Sequence, residues 1–420
     1  MSRKTSQIII ASVIIILLIA MVVFWFLFMR NPGVNKGGGN SQTSGFSPFG
    51  GTGGKQQGTM TSSGAGYQNG NPTEVIIPAL RELSTTPIGG YGASTTASTT
   101  IVHWIDRGRG NVLEAKEDSL NITTLSNTLL PKMYNSLWSN DTYSFIGQIL
   151  GDDNSTVSTL YATLSKQATS SSATPYTLNG KNLPNNIVAY AVSPKKDKIF
   201  FLVVQNGSGI GYIAPFNGGT ATQIFSTPFT EVNVDWPEDN TIAITTKGSA
   251  DQYGYLYFVS PKTGVWKKIV GPLPGLSTLV SHDAKYAILS VAGNANNVIT
   301  SIYSIASSTG NDAIIRTLAD KCVWGNFYKD MVYCAVPFQP VSGTYPDDWY
   351  KGTLATVDKI WSVDAKTGEV HLVSTVFADA NKLIDAYNMG LDDKDNYLFF
   401  MNKYDLSFWS LDLVTSSSTQ

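Results

Sequence analysis

A period of 44 residues constrains this chain more than any other feature. Val192, Trp236, Val280 and Trp324 each end a short apolar run just before a polar turn, and successive members stand 44 residues apart. A unit of about this size cannot bury its own apolar face, so a fixed period implies one small structure repeated and stacked on itself. Trp138 and Met389 extend the series with insertions, 54 residues before Val192 and 65 residues after Trp324.

Inside each unit, short runs rich in Val, Ile, Tyr, Phe and Thr alternate with turn clusters. KIFFLVV, TIAITT, YAILSV, MVYCAV and YLFFM read as strands, and past residue 73 no stretch keeps a helical period beyond two turns. Each unit continues through a third strand and a Gly-containing turn into a fourth, as in YLYFVSPKTGVWKKIV and KIWSVDAKTGEVHLVS. Gly264, Gly310 and Gly368 occupy that turn, where glycine tolerates positive φ. Four strands per period is the signature of a propeller blade, which predicts an all-β, seven-bladed β-propeller over residues 73–420, with six or eight blades as the alternatives. The last unit runs out after LSFWSLDL, while ALRELSTTPIGGYG matches ATQIFSTPFTEVNV by residue type. Ala79 to Ser84 is therefore expected to supply the missing outer strand and close the ring, which removes an exposed sheet edge.

The turn after the first strand reads Trp138-Ser139-Asn140-Asp141, Val192-Ser193-Pro194 and Trp236-Pro237-Glu238-Asp239 in three units. In this respect the chain resembles the WD40-like repeat family of bacterial propellers, the TolB type, whose turn is often W-S-P-D-G. The resemblance covers about residues 80 to 413 and implies a fold and a habit of binding proteins. Neither the Gly-His and Trp-Asp dipeptides of eukaryotic WD40 units nor sialidase-type Asp boxes recur, and a fold alone does not assign a function.

Ahead of the repeats, Gln7 to Met29 is uncharged and long enough as a helix to cross a hydrocarbon layer of ~30 Å. The reading is a single transmembrane anchor rather than a cleaved signal peptide, whose apolar region is normally only about 7 to 15 residues long. Arg3 and Lys4 favour a cytoplasmic N-terminus (residues 1–6), which leaves the propeller extracytoplasmic. Residues 30–72 are Gly, Ser, Thr, Asn and Gln with little to bury, a flexible and disordered linker with a reach of about 36 Å. The first 72 residues hold five basic side chains and no acidic one, so the remainder sets 24 basic against 31 acidic groups, near −7. That sign gives no reason to expect nucleic acid as a partner.

Catalytic patterns are sparse. His103, His282 and His371 fall in different units, with no H-E-x-x-H and no G-x-S-x-G, so neither a metal nor a cofactor is expected. His103 reads as a strand residue. Asp392, Asp393 and Asp395 resemble a calcium loop in composition only and read as a solvated turn. Cys322 and Cys334 count out to opposite positions of one hairpin, so in an oxidising compartment they are candidates for a cross-strand disulfide; the alternative is two small buried thiols.

The sixth unit carries a long insertion between its second and third strands, Phe338 to Asp358, holding Tyr345, Asp347, Asp348, Trp349 and Tyr350. Loops of this length are usually functional or disordered. In a propeller it shares one face with Arg107, Arg109, Asp152, Asp153, Asn206, Asp251, Gln252, Asn296 and Lys403, the candidate binding face. The competing reading folds Trp349 and Tyr350 back to plug the central channel or cover a blade. The leading functional reading is a membrane-anchored, non-catalytic binding or scaffold module for a protein or cell-envelope partner. Two others stand beside it: an envelope enzyme, a glycan hydrolase or lyase with carboxylates in the central channel, and a structural part of a secretion or pilus assembly.

Overall fold

Seven sheets of four antiparallel strands make up the computed structural model, which describes residues 77–167, 175–293 and 297–416. The anchor and linker expected at 7–29 and 30–72 lie outside the described residues. Among the described residues no helix is long and apolar enough to cross a membrane.

Each sheet is a blade, and its second strand is buried on both faces because neighbouring blades cover it from either side. That is why these strands read as unbroken apolar runs: Ile199 to Val203 in the third blade and Leu398 to Met401 in the seventh are all buried. Outer strands face solvent, and Thr309–Asp312 of the fifth blade is exposed throughout. The core is divided between blades. One apolar cluster packs the third blade on the fourth around Phe200 and Trp236, another the fifth on the sixth around Ile288 and Trp324, and a third the seventh on the first around Phe399 and Trp104. A buried side chain of this kind contributes roughly 1.5–3 kcal/mol.

The seventh blade is built from both ends of the described chain. Its first three strands are Ala386–Leu391, Tyr397–Asn402 and Phe408–Asp412, and its outer strand is Leu80–Ser84, with Leu80 opposite Leu411 and Arg81 opposite Ser410. Arg81 then stitches this blade to the first. Its guanidinium pairs with Glu117 at 3.2 Å and donates to the Ser119 carbonyl at 2.9 Å.

The repeat owes its turn to one device. Ser139, Ser193 and Ser281 follow the last residue of a first strand, and each hydroxyl accepts the backbone N–H that opens the second strand, from Ser144, Lys198 and Tyr286. In the seventh blade Asp392 takes that place and accepts from Tyr397. The landmark residue there is thus Leu391, paired with Leu398, rather than Met389. A bulge between Tyr387 and Gly390, with Asn388 at φ 47°, adds one residue to this strand. Gly264 and Gly368 adopt positive φ in their turns as expected, but in the fifth blade Ser308 does so and Gly310 lies within the outer strand.

Cys322 and Cys334 are register partners of the first two strands in the sixth blade and are bonded, S–S 2.06 Å and Cα–Cα 4.1 Å. His103 is fully buried, with Nδ1 2.7 Å from the Thr142 carbonyl and Nε2 2.9 Å from Glu114. Asp392 and Asp395 form no solvated turn, since both are buried. Asp392 accepts from the Thr95 and Thr100 hydroxyls of the first blade, and Asp395 from three backbone N–H groups of the sixth.

Candidate functional site

The chain direction places every connection between second and third strands at the mouth of the channel where the first strands begin. The sixth-blade insertion emerges there between Met331–Pro337 and Asp358–Asp364, and it lies across the mouth as a strap. Asp347 and Asp348 open a short helix, Asp347–Lys351, closed by Gly352 at φ 74°. The residues of this helix reach three other blades. Asp347 accepts from the Ser249 hydroxyl at 2.9 Å and the Ala250 N–H at 2.7 Å in the fourth blade. Tyr350 donates to Asp320, ahead of the sixth blade, at 3.0 Å, and Asp320 also accepts from Ser277 at the start of the fifth. Trp349 donates its indole N–H to Asp385, ahead of the seventh blade, at 3.2 Å.

Trp349 and Tyr345 are therefore not an exposed aromatic surface. Trp349 is 5% exposed, and both rings pack with Val298, Leu318 and Leu354 under the strap. The physical reason is that an indole at this position finds an acceptor for its N–H in Asp385 and a cation for its face in Lys403, whose Nζ lies 3.7 Å from the ring centroid. Lys403 also donates to the Trp349 carbonyl.

Beneath the strap sits a buried ionic cluster that sequence reasoning missed. Lys321 pairs with Asp385 at 2.6 Å and Asp358 at 2.7 Å, and donates to the Thr356 hydroxyl. The remaining lone pairs are also taken: the Thr356 N–H donates to Asp385 and the Ala386 N–H to Asp358. Burial pushes the Asp358 carboxyl up, against the opposing pull of Lys321, and pushes Asp320 up as well. Burial pushes the Lys403 ammonium down. The available sequence signal was positional: Asp320, Lys321 and Asp385 each stand within two residues of an apolar first strand, where an unpaired charge is costly.

The rest of the candidate face forms a polar rim. Arg109, Asp152, Asp153, Asn206, Asp251 and Gln252 are exposed, whereas Asn296 lies outside the described residues. Asp152 pairs with Lys132 at 2.8 Å, and Asp153 is consumed locally by the N–H groups of Ser155 and Thr156. Arg107 is half-buried, and its charge opposes the rise that burial gives the Tyr134 and Tyr387 hydroxyls, the latter pushed up to about 12. Asp348 is half-buried and accepts the Thr344 N–H within the strap.

Two carboxylates reach a cavity of about 280 Å³ between the first strands of the fourth, fifth and sixth blades. They are Asp235 and Asp320, beside Asn233 and Thr278, and burial raises both. Among the described residues no group of three or more His, Cys, Asp or Glu side chains is arranged to hold a metal.

No protein-family model matches the chain, and no curated protein matches it. Among solved structures it is similar to TolB from Acinetobacter baumannii, at 12% identity and a TM-score of 0.40 over 74% of this chain and 63% of that one. It is similar to the β-propeller domain of the trilobed protease from Pyrococcus furiosus, at 11% identity and a TM-score of 0.49 over 76% and 94%. An oligogalacturonate lyase from Vibrio parahaemolyticus is similar at 9% identity and a TM-score of 0.49 over 75% and 86%. The chain thus spans less than two thirds of the length of TolB. At such identities the likeness concerns fold alone, and the seven-bladed architecture rests on this chain's own sheets.

Proposed function

We propose that this chain is a non-catalytic binding or scaffold module, anchored in a membrane by residues 7–29 with its propeller outside the cytoplasm, and that its strapped face presents a rigid polar rim to a protein or cell-envelope partner. The observation that carries the reading is the cluster under the strap. Asp358 and Asp385 share Lys321 and have their other lone pairs occupied, which suits a fixed platform better than proton transfer, since a general acid or base needs reach to a reacting atom. The Ser249–Asp347 and Ala250–Asp347 bonds tie the fourth-blade loop, with Asp251 and Gln252 at its tip, to the strap. The rim is therefore preorganised, which lowers the entropy cost of binding. The Cys322–Cys334 bond suits an oxidising compartment. Crosslinking and mass spectrometry of the full chain in its native membrane test the reading. Substituting Arg107, Arg109, Asp251 and Gln252 together by Ala should abolish partner crosslinks, and an unchanged crosslink pattern rejects the rim.

A second reading, an enzyme acting on a glycan, is favoured by Asp235 and Asp320. Two carboxyls whose proton affinity burial raises, in one cavity, are the raw material of general acid catalysis. It requires polysaccharide cleavage that Asp235→Asn or Asp320→Asn removes.

A further inference from the structure

The other mouth of the channel, where first strands turn into second strands, is open. A cavity of about 440 Å³ lies there, lined by Tyr91, Trp138, Asn140, Lys196, Asn326 and Asp393 among others. Its cation is unusual. Lys196 sits in the Ser193–Lys198 turn at φ 51°, half-buried, and its ammonium makes no hydrogen bond or ion pair with the described residues. Asp393 and Asp141 act on it only at a distance, and burial lowers its proton affinity. A half-buried ammonium without a partner is stabilised by an anion entering the cavity.

The turn that contributes Asn326 to the cavity also carries an aromatic pair. Phe327 and Tyr328 are 65% and 56% exposed, with ring centroids 4.9 Å apart and the rings nearly perpendicular. They follow Asn326, which lines the cavity and donates its side-chain amide to the Leu391 and Asp392 carbonyls, both at 3.1 Å. The turn is clamped from below: the N–H groups of Asn326, Phe327 and Tyr328 donate to the carboxylate of Asp395, itself only 4% exposed, at 2.8, 3.1 and 2.8 Å. Two large aromatic rings are thus presented to water on a backbone already fixed, the arrangement of a stacking platform.

The surroundings select the ligand. Asn140, Asn326, Lys196 and Asp393 line the recess, which has the size of a single-ligand cleft rather than a flat protein interface. A pyranose ring offers an apolar C–H face to an aromatic ring and hydroxyls to flanking amides. We propose that the open mouth binds a carboxylated glycan, a sugar ring stacking on the exposed face of Phe327 or of Tyr328 and a sugar carboxylate reaching Lys196 inside the channel. This site lies on the face opposite the strap and does not rest on binding at the rim.

The test is retention of the full chain, in lipid nanodiscs, on an array of neutral and carboxylated oligosaccharides. Carboxylated members should bind at least tenfold more tightly than their neutral counterparts. Lys196→Gln should erase that preference, and Phe327→Ala with Tyr328→Ala should weaken all binding tenfold or more at an unchanged melting temperature. Lys267→Ala, on the exposed outer strand of the fourth blade, should leave glycan retention unchanged. Retention of no carboxylated glycan, equal retention of neutral and acidic ones by the unaltered chain, or insensitivity to both sets of substitutions overturns the proposal. Loss of partner crosslinks on rim substitution with glycan retention intact would separate the two faces.

Discussion

At one mouth of the channel the sixth-blade strap reaches the fourth, fifth and seventh blades, and beneath it Lys321 bridges Asp358 and Asp385, which also accept backbone N–H groups. At the other mouth neighbouring turns are bonded to one another but no strap crosses the cavity, Lys196 has no partner among the described residues, and Phe327 and Tyr328 face water. Both mouths hold lysines, carboxylates and aromatic rings, so composition does not separate them. Satisfaction does: a polar group whose bonds are all made inside the protein serves the fold, and one left wanting marks a place for something else.

The sharpest way to break this contrast is Lys321→Met. It leaves Asp358 and Asp385 buried without a cation, which costs about 3–5 kcal/mol. The chemical-denaturation midpoint should fall accordingly, while Lys196→Gln at the open mouth should leave it nearly unmoved; equal effects would erase the distinction. Next in size is Trp349→Ala, which removes the side chain that the strap buries and should cost about 3 kcal/mol. Limited proteolysis should then cut between residues 338 and 357, sites that stay protected in the unaltered chain. The smallest effect is on pH dependence. Burial raises Asp320 above its usual 3.8, so the folded chain holds that proton more tightly than the unfolded one. This group therefore contributes stability at low pH that is lost as pH climbs from about 4 through the folded value, and Asp320→Asn should flatten that part of the stability profile.

The division of the molecule into blades was legible because burial on both faces turns each second strand into an apolar run, and because the Ser139, Ser193 and Ser281 turns repeat one hydrogen-bonding solution. It blurred where another residue solved the same problem. Asp392 replaces the serine in the seventh blade, and Ser308 replaces a glycine in the fifth. The insertion was legible as an insertion, but the direction of Trp349 was not, since its partners Asp385 and Lys403 lie 36 and 54 residues away in sequence. Likewise nothing local distinguishes Asp395, the clamp under the aromatic turn, from a solvated aspartate; its three donors come from the neighbouring blade.

Covalent labelling of lysines in the native chain addresses the contrast most directly. With an amine-reactive acyl ester at neutral pH, Lys196, in an open cavity and with a lowered proton affinity, should be acylated readily, and Lys321 should stay unmodified until the protein unfolds. Acylation of Lys321 in the folded chain as fast as that of Lys196 would contradict a molecule with one strapped mouth and one open one.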